Sequence, residues 1–313
     1  MMAAGNRILV IKHGALGDIV LSLGPMAAIR RHHAAGSVTI LTTAPYAAFL
    51  RAAPYADEVW IDDRPGPWRP DRVVALARRL RTGRFARVYD LQTSERTGWY
   101  RRLIGREPEW SGVAPGCSHP HGDPARGSRH TIERQRAQLA IAGIPEVPAP
   151  DLSWADADLG PLGLPGRYAV LAPGAAAHRP EKRWPADRFA GLGRWLLEQG
   201  TTPVLVGAST EAALTRAVAQ ACPGAVDLGG RTSLVELAAL LQGATLAVGN
   251  DSGPMHMAAV AGCPTLVLFS GASDPARTAP RGRDVRLLRA DPIDGLDLGT
   301  ACRAVAPWLV PSP

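Results

Sequence analysis

Residues 248–269 constrain the fold of this 313-residue chain more than any other stretch. Val248-Gly249-Asn250 ends a strand, Asp251-Ser252-Gly253-Pro254 makes a tight polar loop, and Met255–Ala261 reads as a short helix of small residues. Gly262 stops it, and 265–269 is another buried strand. A strand, a helix and a second strand this closely spaced belong to a parallel sheet. Gly253-Pro254 sets a Pro at the start of the helix, where its missing N–H costs nothing. The loop therefore points free N–H groups and the positive helix end at whatever lies above the sheet, and an anion is the natural guest. Asp251, Ser252 and His256 would surround that guest with groups suited to a ribose, a phosphate or a sugar. The competing reading makes Asp251 and Ser252 plain helix caps.

The same alternation runs through the whole chain. In the first half the pattern predicts strands at 7–11, 37–41, 58–61 and 87–91, with helices at 19–32, 46–52, 72–81 and 130–142. Residues 108–127, rich in Pro, Gly, His and Ser, read as a long loop. Five prolines within 145–165 mark a linker. Beyond it the alternation restarts, with strands at 168–172, 203–206, 225–228, 245–248 and 265–269 and helices near 187–199, 211–221, 234–242 and 255–261. The expected architecture is two doubly wound α/β domains, 1–150 and 151–313, facing a central cleft at the carboxyl ends of their strands. A last helix at 297–309 is open to packing back on the first domain.

Composition narrows the class. Apolar residues make up 46% of the chain and aromatics only 5%, and no run approaches the ~18–20 apolar residues of a membrane span. Lys12 and His13 interrupt the first apolar run, so it is not expected to act as a signal peptide. Four scattered cysteines form no CxxC pair and read as reduced thiols of a cytoplasmic protein. Only Lys12 and Lys182 are lysine; the remaining basic residues are Arg, which a GC-rich genome explains and which singles out the two lysines. Residues 64–136 hold 16 Arg against seven Asp and Glu, a surplus larger than the whole-chain net charge of +7. That half calls for an anionic partner: phosphorylated lipid, nucleic acid or acidic glycan. No nucleic-acid motif accompanies the arginines, so nucleic acid is set aside.

Two further loops carry chemistry. Lys12-His13-Gly14-Ala15-Leu16-Gly17-Asp18 joins the first strand to its helix, but its glycine spacing is not the GxGxxG of dinucleotide binders, which disfavours a dehydrogenase. Asp18 would start the helix as a general base for a bound hydroxyl, or serve only as an N-cap. In the second half Pro173-Gly174 leads through Ala175-Ala176-Ala177 to Lys182-Arg183-Trp184-Pro185 just ahead of a helix, a second feature that attracts anions. Cys117-Ser118-His119-Pro120-His121 with Asp123 has metal-ligand residue types without the paired spacing of a zinc site, and no metal site is expected there.

These segments, together with Gly207–Glu211, Gly230-Arg231-Thr232-Ser233-Leu234 and the helix opening His130-Thr131-Ile132-Glu133-Arg134, resemble glycosyltransferase family 9, the ADP-heptose:lipopolysaccharide heptosyltransferases, in order and spacing over nearly the whole chain. The resemblance implies the GT-B fold, with an acceptor-binding first domain and a second domain for the nucleotide-sugar donor. It implies inverting transfer with Asp18 as base and Lys182 on the diphosphate. Gly174, Glu211, Thr232, Asp251, Ser252, Gly253, Pro254, Met255 and His256 would bind an ADP-heptose donor, Glu211 meeting its ribose. Lys12, His13, Gly17, Arg96, Arg101 and Arg102 would bind an anionic glycolipid acceptor, with peripheral contact to the cytoplasmic face of the inner membrane. No cofactor is required; a divalent cation is compatible but not essential. The chain departs from the family at Ala175–Ala177, where hydroxyl residues are frequent, which leaves the donor sugar open. A nucleotide-sugar epimerase of the same fold, and a non-catalytic nucleotide- or lipid-binding protein, compete with this reading; retention of both Asp18 and Lys182 counts against the second.

Overall fold

The computed structural model describes residues 7–105, 108–176 and 178–310. The chain divides into two compact units, Met1–Asp151 and Leu152–Pro313.

In the first unit β1 (Arg7–Ile11), β2 (Ser37–Thr42), β3 (Glu58–Ile61), β4 (Arg87–Asp90), β5 (Glu109–Gly112) and β6 (His119–Pro120) form a sheet in the order β3-β2-β1-β4-β5-β6. All neighbours are parallel, and Leu9 of β1 pairs with Thr39 on one side and Val88 on the other. The helices are α1 (Leu16–Leu21), α2 (Leu23–His32), α3 (Ala44–Ala52), α4 (Pro70–Thr82), α5 (Glu95–Ile104) and α6 (Thr131–Ile141). Strands such as Arg-Ile-Leu-Val-Ile are apolar at nearly every position because a parallel sheet is covered on both faces. Leu9, Ile11, Leu41, Leu80, Val88, Tyr100 and Trp110 build one core cluster of this unit.

The second unit winds the same way. Its strands β7 (Tyr168–Ala172), β8 (Thr202–Leu205), β9 (Val226–Asp227), β10 (Leu246–Asn250), β11 (Thr265–Phe269) and β12 (Val285–Arg289) are parallel, in the order β12-β11-β10-β7-β8-β9. Counted from β7, this is the strand order of the first unit. The helices are α7 (Ala186–Glu198), α8 (Ala212–Ala221), α9 (Leu234–Gly243), α10 (Gly253–Val260), α11 (Pro275–Thr278) and α12 (Leu298–Val305). The last helix, left open to pack on the first domain, puts Ala301 and Val305 into the core of the second unit with Leu171, Trp184, Phe189 and Leu266.

The structure corrects three local expectations. The helix expected over 19–32 is two helices parted at Ser22, whose hydroxyl donates to the Asp18 carbonyl (2.6 Å), a back-bond that bends helices. Pro25 adds a missing N–H just beyond. The long loop expected at 108–127 contains β5 and β6; Trp110 is fully buried, but a strand of four residues is too short to show a period. Neither α5 nor β12 is predicted by the apolar pattern, because α5 buries only Thr97 and Tyr100 and β12 is an Arg-flanked edge strand. Among the described residues no helix is long and apolar enough to cross a membrane.

Candidate functional site

In both sheets the winding reverses direction beside the first strand, between β1 and β4 and between β7 and β10. Open α/β sheets bind ligands at such points, beyond the carboxyl ends of the strands. Many of the residues singled out from sequence lie at these two places, and the arginines of α5 do not.

In the first unit, Lys12 follows β1 and is 4% exposed, with Nζ 3.4 Å from the Leu91 carbonyl. Burial pulls its ammonium below the usual lysine range; Asp18 and Asp90 pull it back, and Arg134 and Arg126 add to the depression. His13 is buried as well. Its N–H donates to Gln92 Oε1 (3.0 Å), its carbonyl accepts from the Thr43 hydroxyl (2.8 Å), and its Nε2 lies 2.9 Å from Asp62 Oδ2. Burial pushes the Asp62 carboxyl up, but hydrogen bonds from His13 and Tyr100 outweigh it and hold the group below its ordinary value. Gly14 has φ +130°, and a Cβ there would stand 2.4 Å from the Tyr46 ring, so only glycine fits.

Asp18 is the third residue of α1, whose N-cap is Ala15, so it is not the helix cap. It is half-buried and lines a pocket of about 190 Å³ with Lys12, Gln92, Thr93, Arg126 and Arg134. Gly17 beside it is buried. Asp90 ends β4 beneath; burial pushes its carboxyl up to about 6 against hydrogen bonds from Thr93, Thr97 and Gln92. Arg126 donates to the Thr93 hydroxyl (2.5 Å) and to His121 Nδ1 (3.2 Å).

The sequence assigns no site role to Arg126 or to Arg134, although Arg134 lies in the helix opening that carries the resemblance, because in an Arg-rich chain two more arginines stand out little. In the structure α6 turns a buried amide face inward, with Gln135 and Gln138 4% and 1% exposed, which residue identities alone do not reveal. Arg96, Arg101 and Arg102 lie elsewhere, on α5: Arg96 donates to the Pro65 carbonyl, Arg101 to those of Pro115 and Gly116, and Arg102 stacks over Trp99.

In the second unit, buried Asn250 joins the loops on either side of the reversal. Its Oδ1 accepts the Trp184 N–H (2.9 Å) and its Nδ2 donates to the Pro173 carbonyl (2.8 Å). Lys182 Nζ donates to Asp251 Oδ2 at 2.7 Å, with side-chain exposures of 17% and 9%. Asp251 is therefore engaged by Lys182. Ser252 is the N-cap of α10, yet among the described residues its hydroxyl makes no capping bond and its buried Oγ has no partner. Gly253 and Pro254 open α10, and Met255 and His256 are buried in its first turns.

Glu211 closes a short turn at the end of β8, its Oε2 accepting the Ala208 N–H, and its carboxylate covers Gly174, where a Cβ would stand 2.0 Å from Oε1. Gly230 packs against Ser209, which brings the half-buried Thr232 loop beside the same turn. Of the alanines at 175–177, Ala177 lies outside the described residues; Ala175 accepts from Arg183.

Among the described residues no three His, Cys, Asp or Glu side chains are placed to hold a metal ion. Cys117 and His121 instead face the Gly112 carbonyl and Arg126, and Asp123 caps the turn at Pro124–Gly127.

The sequence model described as glycosyltransferase family 9 (heptosyltransferase) matches residues 73–303. Lipopolysaccharide heptosyltransferase 1 of Pseudomonas aeruginosa is 26% identical over 91% of this chain and 84% of its own length. Lipooligosaccharide heptosyltransferase 2 of Haemophilus influenzae is 34% identical, but over 35% of this chain and only 33% of that protein. The solved ADP-heptose lps heptosyltransferase II of Escherichia coli superposes with a TM-score of 0.81 at 20% identity, covering 97% of this chain and 98% of that one. The likeness of fold therefore extends through both units, which together make the GT-B type of α/β fold.

Proposed function

The chain belongs to glycosyltransferase family 9 and is a glycosyltransferase; from that premise we propose that it moves heptose from ADP-heptose, with inversion, onto the saccharide of a lipopolysaccharide-core glycolipid. The observation that carries the reading is Asp18, a carboxylate in a first helical turn that is not the cap and that shares a pocket with Lys12, Arg126 and Arg134. An acceptor hydroxyl is a poor nucleophile until its proton is removed, and Asp18 takes it as attack proceeds. The new bond forms on the anomeric carbon from the face opposite the diphosphate, and the bond to the diphosphate oxygen breaks. The electron pair leaves with ADP, whose growing charge Lys182 and the amino end of α10 stabilise. Lys12, Arg126 and Arg134 hold an anionic part of the acceptor.

The exposed arginines of residues 64–136, Arg69, Arg72 and Arg84 among them, draw the protein to the anionic cytoplasmic face of the inner membrane. The decisive experiment is Asp18→Asn assayed with ADP-heptose and a core oligosaccharide. Transfer should fall by about 10²–10⁴-fold, the usual worth of a positioned base, while ADP still raises the melting temperature. Near-normal turnover would remove Asp18 from the mechanism.

A further inference from the structure

A second recess of about 440 Å³ lies between α5 and residues 113–115. It shares Thr93 with the Asp18 pocket, so the two recesses are neighbours at that residue. Thr93 is firmly set: its φ is +48°, its N–H donates to Asp90 Oδ1 (2.9 Å), and its hydroxyl accepts from Arg126. One wall is fixed by Arg101, whose guanidinium is spent on the Pro115 and Gly116 carbonyls. Along the other, Trp99 is 63% exposed with the Arg102 guanidinium 5.6 Å from its ring centre. Gly98 leaves the floor open, since a Cβ there would meet only Ala114 at 3.9 Å.

A flat indole face is a surface on which the apolar face of a sugar ring stacks, and an exposed guanidinium pairs with phosphate. The volume is within the range of ligand sites and exceeds twice that of the Asp18 pocket. We propose that this groove is a second acceptor subsite, which takes a phosphorylated saccharide unit adjacent to the one that accepts the sugar. Trp99 supplies its stacking face and Arg102 its phosphate contact. The assignment rests on the acceptor reading of the first unit given above. The lining residue Thr93, shared with the Asp18 pocket, favours a saccharide of the acceptor over a bilayer surface as the occupant.

The test uses the full chain, ADP-heptose, and de-acylated phosphorylated lipooligosaccharide core, beside the same oligosaccharide after phosphatase treatment. Trp99→Ala and Gly98→Leu should each raise the KM for the phosphorylated oligosaccharide roughly five- to tenfold, the worth of one aromatic contact. The shift in melting temperature induced by ADP should keep its wild-type size in both, which also shows that they fold. Arg102→Gln should raise KM for the phosphorylated oligosaccharide and not for the treated one.

An unchanged KM in both Trp99→Ala and Gly98→Leu overturns the subsite. So does a loss confined to sedimentation with phosphatidylglycerol vesicles, which would make Trp99 a bilayer contact. The Asp18→Asn variant separates the two levels. If it transfers normally, the acceptor reading falls and takes the groove with it; if it is inactive while the groove variants keep wild-type KM, the groove alone is overturned.

Discussion

At the scale of single residues, Lys182 and Asp251 make the sharpest case. The Lys182 ammonium is paired with the Asp251 carboxylate 2.7 Å away, so on the proposed reading a diphosphate competes with Asp251 for it. Lys182→Ala should lower kcat by roughly 10²–10³ and weaken ADP binding, because its charge matters most as the diphosphate departs. Asp251→Asn should do the unusual opposite for binding: ADP should bind several-fold tighter, about 1 kcal/mol for an ion pair no longer in competition, while transfer slows. Calorimetric titration of ADP into both variants decides it, and equal affinity in wild type and Asp251→Asn would show that the pair is no restraint.

Asp90 gives a pH dependence. Its folded carboxyl titrates near 6 and an unfolded one near 4, so between those values the folded chain holds a proton the unfolded chain has lost. Its stability contribution is therefore full below about pH 4, declines as pH rises to 6, and is lower by about 3 kcal/mol above that. Asp90→Asn should unfold at increasingly higher temperature than wild type as pH goes from 4 to 7; a constant gap would refute it. Sequence made Lys12 and Lys182 visible because lysine is otherwise absent. It could not show that Asp251 would be bound to Lys182 or that His13 would turn inward to Asp62, since both depend on partners 49 or more positions away.

At the scale of elements, pieces with an apolar run of their own were legible and pieces with one or two large buried residues were not. β1, β3, β7 and β11 have the bounds their apolar runs predict. The pattern failed where tertiary burial replaces periodicity, as in β5, whose one large apolar residue is Trp110, and in α5, whose start is a Ser94–Thr97 capping box with a Thr in place of the usual Glu or Gln. Gly24 in α2 shows how such a contact overrides local preference. Helix propensity favours Gly→Ala by about 0.5–1 kcal/mol, yet a Cβ at Gly24 would stand 2.3 Å from the Pro148 carbonyl, which is backbone and cannot swing aside. Gly24→Ala should therefore destabilise by about 1–3 kcal/mol, the usual cost of overpacking, in urea unfolding. A more stable variant would mean that the 148–150 segment yields readily.

At the scale of the whole molecule, strand–helix alternation on both sides of a proline-rich span made two doubly wound units readable, because each strand covered on both faces announces itself as an apolar run. The charge asymmetry was readable as well, and its consequence is measurable. Each exposed basic residue near an anionic surface contributes about 1 kcal/mol, screened over ~10 Å at 0.1 M salt. Sedimentation with phosphatidylglycerol vesicles should occur at low salt and fade as salt rises, with little binding to neutral vesicles. Salt-independent binding would assign the arginines another task.

The shared strand order carries a consequence for synthesis. The first strand made in each unit is a central one, flanked in the finished sheet by strands that emerge later. Roughly 75 residues separate β1 from β4, and nearly the same number separate β7 from β10. At ribosomal speeds of ~5–20 residues per second, one edge of each of these apolar strands waits about 4–15 s for its neighbour. The nascent chain thus exposes Arg7–Ile11 and then Tyr168–Ala172 for similar intervals, and these are the two segments a ribosome-bound chaperone would have reason to cover.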